Sequence, residues 1–162
     1  MKEMEGTRIL VVDDEEGIRK SLKAVLEEEG CLVDTAENGQ EAIARSKTTF
    51  YNLALVDIRL PDMDGVELLT SMSQTTPKTV KIILTGYPSL DNAIQAVNKG
   101  ADGYIVKPFT MEHLLSTIKE HLRKQREAEK YSEEKVKEYV ESRTKEMDTK
   151  IRGASANERR TS

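Results

Sequence analysis

The chain has 162 residues and a formal net charge of −4, room for one domain or one domain with an extension. The charge is too mild and of the wrong sign for a protein that coats nucleic acid, and the single cysteine, Cys31, excludes an internal disulfide and a Cys-based zinc site. No segment approaches the roughly 18 apolar residues that span a bilayer. The opening Met1-Lys2-Glu3-Met4-Glu5-Gly6 lacks the apolar core of a signal peptide, so a cytoplasmic location without membrane insertion is expected.

The first run, Ile9-Leu10-Val11-Val12, is continuously apolar, the pattern of a strand covered on both faces. Ile18, Leu22, Val25 and Leu26 then recur at helical spacing, and Gly30 ends that helix. Leu32 to Ala36 is a shorter strand, Asn38-Gly39 a turn, and Glu41 to Ser46 a short helix. Leu53-Ala54-Leu55-Val56 is again fully apolar; Pro61 to Gly65 reads as a loop and Val66 to Met72 as a helix. Val80 to Leu84 is the fourth strand, followed by a helix over Leu90 to Lys99 with Ser89 as N-cap and Gly100 as stop. Tyr104-Ile105-Val106 is the fifth strand. Thr110 caps a last helix whose apolar face carries Leu114, Leu115, Ile118 and Leu122.

A βα unit repeated five times implies a five-stranded parallel sheet with helices on both faces. In that architecture the working site lies at the carboxyl ends of the strands. Those ends carry Asp13 and Asp14, followed by Glu15 and Glu16; then Asp57; then Thr85-Gly86; then Lys107-Pro108. Three carboxylates brought to one rim repel each other, and a hard divalent cation with oxygen ligands, Mg²⁺, removes the conflict. A helix N-cap could explain Asp14 or Glu16 singly, but not Asp57, which opens a loop at Ile58-Arg59-Leu60-Pro61. With the metal, the Lys107 ammonium, the Thr85 hydroxyl and the Gly86 N–H could receive the oxygens of a phosphoryl group carried by the Asp57 carboxylate.

Four motifs resemble the receiver domain of two-component response regulators, of the chemotaxis-regulator type: Val11 to Glu15, Asp57 through Pro61-Asp62-Met63-Asp64-Gly65, Leu84-Thr85-Gly86-Tyr87, and Gly100 through Lys107-Pro108-Phe109. The resemblance covers residues 7–122. It implies a flavodoxin-like three-layer α/β/α fold, with Asp57 as acceptor of phosphate from a sensor histidine kinase. It implies Mg²⁺ held by Asp14, Asp57 and the Arg59 carbonyl, with Asp13 acting through water. It implies that Lys107 pairs with the phosphate and forms a cis bond to Pro108. Thr85 then moves onto the phosphate and Tyr104 turns into the space vacated. The helix over Leu90 to Lys99, the fifth strand and the last helix form the signalling surface.

Other features carry less. Tyr87 and Arg59 flank the site mouth and either tune phosphate loss or are ordinary exposed side chains. His113 and His121 lie on the last helix, away from the strand ends, which argues against a histidine relay. A haloacid dehalogenase-type phosphatase also uses Asp, Thr, Lys and Mg²⁺. It wants a second Asp two residues after the nucleophile, where this chain has Arg59. A flavin carrier would be repelled by Asp13-Asp14-Glu15-Glu16.

Charge divides the chain. Residues 1–122 hold 13 Lys+Arg against 20 Asp+Glu, net −7, whereas 123–162 hold 12 against 9, net +3. Residues 123–152 lack Gly and Pro, and Glu→Lys pairs stand at i,i+4 in Glu120/Lys124 at its start and in Glu133/Lys137, Glu141/Lys145 and Glu146/Lys150 within it. A heptad seam there is poor, mixing Leu115, Leu122, Val136 and Tyr139 with Glu129, Arg143 and Glu146. The segment is expected to be a charged helical extension or linker, and 153–162 a disordered tail. A homodimer through the Leu90–Leu122 region or through the charged helix stays open, as does the output, a downstream protein partner or a further module. No direct contact with nucleic acid is expected, since no recognition helix stands out.

Overall fold

The computed structural model describes residues 2–72 and 78–161. The chain divides into two compact units, Met1–Gln125 and Arg126–Ser162. Along the chain five strands alternate with helices: β1 (Arg8–Val12), α1 (Glu16–Glu28), β2 (Leu32–Ala36), α2 (Gly39–Thr48), β3 (Leu53–Asp57), α3 (Gly65–Ser71), β4 (Val80–Thr85), α4 (Leu90–Asn98), β5 (Gly103–Val106) and α5 (Met111–Thr161), of which only the residues up to Gln125 belong to the first unit. The strands form one all-parallel sheet in the order β2-β1-β3-β4-β5. The βα alternation of the sequence therefore reads out as expected.

The reason lies in which strands are central. β3 and β4 are buried at every residue, because helices cover both faces of the sheet. One face packs Ile9, Val11, Leu53, Leu55, Ile82 and Leu84 against Leu22 and Leu26 of α1 and Leu114, Ile118 and Leu122 of α5. The other packs Leu10, Val12, Ala54, Val56 and Ile83 against Ala42 of α2, Val66, Leu68 and Leu69 of α3, and Ala96 of α4. Alternate residues of one strand thus serve opposite layers. The edge strands β2 and β5 are only partly buried.

Helix ends follow local chemistry. Gly30 (φ +90) and Gly100 (φ +103) take the left-handed conformation just past α1 and α4. The Ser89 side chain accepts from Asn92 N–H at the start of α4, and Thr110 Oγ1 from His113 N–H at the start of α5. Asn38-Gly39 is not a free turn but a helix start: Asn38 Oδ1 accepts from Glu41 N–H at 2.8 Å and α2 begins at Gly39. Nor do Asp14 or Glu16 cap α1. Glu15 stands at that position, without a side-chain cap bond.

In the second unit the charged segment is helical. Its exposed ion pairs include Lys135–Glu138 (3.8 Å), Arg143–Glu146 (3.5 Å) and Arg152–Asp148 (3.4 Å), each worth about 0.2–0.5 kcal/mol at most. Residues 153–162, expected as a disordered tail, are helical through Thr161; Ser162 lies outside the described residues. Gly153 weakens a helix interior by about 1 kcal/mol, but good helix formers such as Ala154, Ala156, Glu158 and Arg159 follow it. Val136, Val140, Met147 and Ile151 are all more than half exposed. Their 4-7-4 spacing repeats every 11 residues, which is why a heptad template finds no seam.

Leu55 sits at 0% exposure in the middle of the sheet. Leu55→Ala is expected to lower unfolding free energy by about 3 kcal/mol, through lost burial and the cavity left behind. Urea denaturation followed by circular dichroism measures it, and a loss below about 1 kcal/mol would contradict this account of the core.

Candidate functional site

The register of a parallel sheet brings strand ends level. Val12 pairs with Val56, Asp57 with Leu84, and Thr85 with Val106. Residues 13, 57, 85 and 107 therefore share one rim, at the carboxyl edge. Among the described residues, Asp13, Asp14 and Asp57 are the carboxylates able to hold a metal ion: each offers an oxygen, and these atoms lie within 4.8 Å of one another. Asp13 is fully buried, Asp57 is nearly so, and Asp14 is exposed.

Lys107 closes the group. Its Nζ donates to Asp13 Oδ2 at 3.0 Å and to Asp57 Oδ2 at 3.1 Å. Burial pulls the ammonium down, but the hydrogen bond and charge of Asp13, joined by Asp57, outweigh it and hold Lys107 above the ordinary lysine range. Burial pushes the Asp13 carboxyl up, against the Glu15 N–H and Lys107, which pull it down; the nearby Asp57 charge adds to the rise. Asp13 thus carries its charge under strain even with an ammonium beside it.

The other expected positions fall around this core. Thr85 is fully buried; its Oγ1 accepts from Tyr87 N–H at 3.0 Å and its carbonyl from Lys107 N–H at 2.7 Å. Gly86 follows it at the end of β4. Tyr104 is half-buried against the α3/α4 side of the core, and its hydroxyl is buried with no hydrogen-bond partner. The Lys107–Pro108 bond is cis, as the resemblance implied. Arg59 N–H donates to Asp57 Oδ1 at 3.0 Å, which turns the chain out of β3 into the loop. His121 Nε2 stands 3.0 Å from where a Gly103 Cβ would lie. Gly103 opens β5 at the far edge of the sheet, so His121 is not part of the site.

Three contacts were not legible as pairs. The Arg59 guanidinium lies 3.6 Å from the centroid of the Tyr87 ring, so two residues read as separate exposed side chains form one cation–π pair. Arg19 Nη1 donates to the Asp13 carbonyl at 2.7 Å, tying α1 to the rim. Asp62, merely part of a loop motif in the sequence, accepts two backbone N–H groups of α2. Short polar loop residues near helix starts are the one available signal for such contacts.

Residues 9–119 match the family model for the response regulator receiver domain. The chain belongs to that family. Its receiver domain is similar to ResD of Bacillus subtilis, a transcriptional regulatory protein, at 39% identity over 76% of this chain and 51% of that protein. It is similar to the transcriptional regulatory protein SrrA of Staphylococcus aureus, at 35% over 88% of this chain and 59% of that protein. The chain thus spans about half the length of the curated relatives it matches. Among solved structures, a CheY-like receiver domain protein from Methanospirillum hungatei JF-1 superposes with a TM-score of 0.73 at 45% identity, over 76% of this chain and 99% of that one. The beryllofluoride-activated NtrC4 receiver domain dimer superposes at 0.68 and 42%, over 73% and 98%. No helix among the described residues is long and apolar enough to cross a membrane.

The receiver site depends on a close approach at Gly65. A Cβ there would lie 2.2 Å from the Asp57 carbonyl oxygen and 2.9 Å from Ile58 Cα, both backbone atoms. Gly65→Ala is expected to destabilise the fold by at least about 2 kcal/mol, by overpacking that cannot relax through a rotamer change. Urea denaturation measures it; an unchanged midpoint would show that the loop yields freely.

Proposed function

We propose that this receiver accepts a phosphoryl group on Asp57 from the phosphohistidine of a sensor histidine kinase, in a Mg²⁺-dependent reaction, and switches conformation in response. The observation that carries the reading is the rim itself: two buried aspartates and one exposed one, with Lys107 Nζ within 3.1 Å of two of them. The donor set is all oxygen, one ligand position opens to solvent at Asp14, and Asp13 is electrostatically strained, which is what a hard divalent cation fits. Asp14, Asp57 and the Arg59 carbonyl would hold Mg²⁺, with Asp13 acting through water. When bound, the ion would neutralise charge on the phosphoryl oxygens.

The residues of the chain do the rest. An Asp57 carboxylate oxygen forms the new O–P bond as the donor's P–N bond breaks. Lys107 exchanges its pairing with Asp57 for a phosphoryl oxygen, and the Gly86 N–H donates to another. Thr85 Oγ1, which now accepts from Tyr87 N–H, turns toward the phosphate. Tyr104, whose buried hydroxyl has no partner to hold it, moves into the gap. The protein is a signalling acceptor whose self-catalysed steps are limited to gaining and losing this phosphate. The Arg59–Tyr87 pair stands at the mouth, positioned to tune access of water.

The output surface proposed is α4, β5 and the start of α5. Leu90, Val97 and Val106 on it are exposed apolar side chains at 76%, 66% and 44%. Residues 7–122 act as the receiver unit and 123–152 as a connector to a partner or further module. A second copy of the chain covers the apolar line of Val136, Val140, Met147 and Ile151.

Asp57→Asn is expected to abolish Mg²⁺-dependent labelling by acetyl phosphate; full acyl-phosphate formation in that variant sinks the assignment. Lys107→Ala should keep Mg²⁺ binding yet lose the NMR response to beryllofluoride, and equal responses in variant and parent refute its role. Light scattering is expected to give a dimer mass for the full chain and a monomer mass for residues 1–122. Equal association states, with and without beryllofluoride, exclude the connector as a pairing element.

A further inference from the structure

The first turn of α2 has backbone N–H groups with no partner inside the helix, and its own cap side chain satisfies one of them. Asn38 Oδ1 accepts from Glu41 N–H at 2.8 Å, whereas Ala42 N–H makes the first bond of the helix itself, to the Asn38 carbonyl at 3.2 Å. Two more are satisfied by a different element. Asp62 Oδ1 accepts from Gly39 N–H at 2.8 Å and Asp62 Oδ2 from Gln40 N–H at 2.9 Å. Those two bonds, Gly39 first, hold the Asp62 carboxyl below the ordinary aspartate value although it is exposed. Met63 packs on the same junction: its side chain lies against Gly39, where a Cβ would require the methionine to shift.

Asp62 and Met63 are the tip of the loop that leaves Asp57. The base of that loop is closed by Gly65 N–H to the Ile58 carbonyl at 2.8 Å and by a bridge between Arg59 and Asp64. Asp64 in turn caps α3 through Val66 N–H at 2.7 Å. The base is therefore held by its own strand and helix, while Asp62 and Met63 join the tip to α2, a layer neighbour more than 20 residues earlier.

We propose that Asp62 is a positioning residue for the metal site: by holding the loop tip on the first turn of α2 it sets the placement of the Arg59 carbonyl, and hence Mg²⁺ affinity. This rests on the reading of Asp57 and Arg59 as metal ligands. Asp62 itself touches neither metal nor phosphate. A loop tied at its base alone leaves the tip, and with it the Arg59 carbonyl, more freedom that metal binding would have to remove, and that entropy weakens the site.

Calorimetric titration of the full chain with MgCl₂ tests it, on the parent, Asp62→Ala, Asp62→Asn, Asn38→Ala and Asp57→Asn. Asp62→Ala is expected to weaken Mg²⁺ about tenfold, in the range seen when a group that orients a ligand is removed. Asp62→Asn, with one acceptor oxygen left, falls between it and the parent. Asn38→Ala removes a cap from the same helix without touching the loop, and is expected to change affinity by less than about twofold. In acetyl phosphate labelling, Asp62→Ala raises the Mg²⁺ concentration for half-maximal rate while the rate at saturation stays within about twofold. Hydrogen exchange on the metal-free protein should speed up at Gly39 and Gln40 and not in β1 or β3, which separates the local effect from unfolding. Parent-like affinity in Asp62→Ala, or an equal loss in Asn38→Ala, overturns the proposal while the metal site stands. If the parent binds no Mg²⁺, or Asp57→Asn binds it as well as the parent, the metal site itself falls and this proposal with it.

Discussion

Lys107 between Asp13 and Asp57 is the interaction on which the rest of the site depends. It joins residues 94 and 50 positions apart in the chain, at 3.0 and 3.1 Å. Two buried carboxylates on adjacent strands repel one another, and burial raises the cost of keeping either charged. An ammonium reaching across from β5 offsets part of that cost. The strand order makes it possible: β1 lies directly beside β3, where the winding of the sheet changes direction, so the two acids end level. The partial neutralisation, two negative charges and a third nearby against one positive, leaves the rim with an appetite for further cationic charge.

The acidic excess of the first 122 residues divides, once folded, into separate jobs. Asp62 and Asp64 satisfy N–H groups at the starts of α2 and α3. Asp102 accepts from Lys81 N–H between β4 and β5. Asp34 accepts a hydrogen bond from the Tyr51 hydroxyl, and that bond, with burial as the larger cause, pushes the tyrosine up to about 12. What remains at the carboxyl rim is Asp13, Asp14 and Asp57. Among the described residues these three are the carboxylates whose oxygens converge within 4.8 Å, and that convergence, more than the net charge of the chain, is what suits a metal ion.

The second unit follows other rules. Its helix is stabilised by exposed ion pairs of small individual worth, and its aliphatic residues Val136, Val140, Met147 and Ile151 keep to one line with an 11-residue repeat. A repeat of 3.67 residues per turn is close to the natural pitch of an α-helix, so such a line stays on one side without strong supercoiling.

Element type and order were legible in the chain itself, because strands buried on both faces must be apolar throughout and their helices must show one apolar stripe. The ends of Ile9–Val12, Leu53–Val56, Val80–Leu84 and Tyr104–Val106 named the rim residues, since a parallel sheet has one carboxyl edge. Sequence also determined that Arg59 follows Asp57 where a phosphatase would need an acid. It could not say that Asn38 begins a helix rather than a turn, or that α2 takes part of its cap from a loop 22 residues on. Nor could it show Arg59 stacked on Tyr87, or Lys107 choosing Asp13 and Asp57 over Asp14. Local patterns report how a residue relates to its own helix or strand. Pairings between loops depend on where the packed layers set those loops down, and that distance exists only after the sheet has assembled.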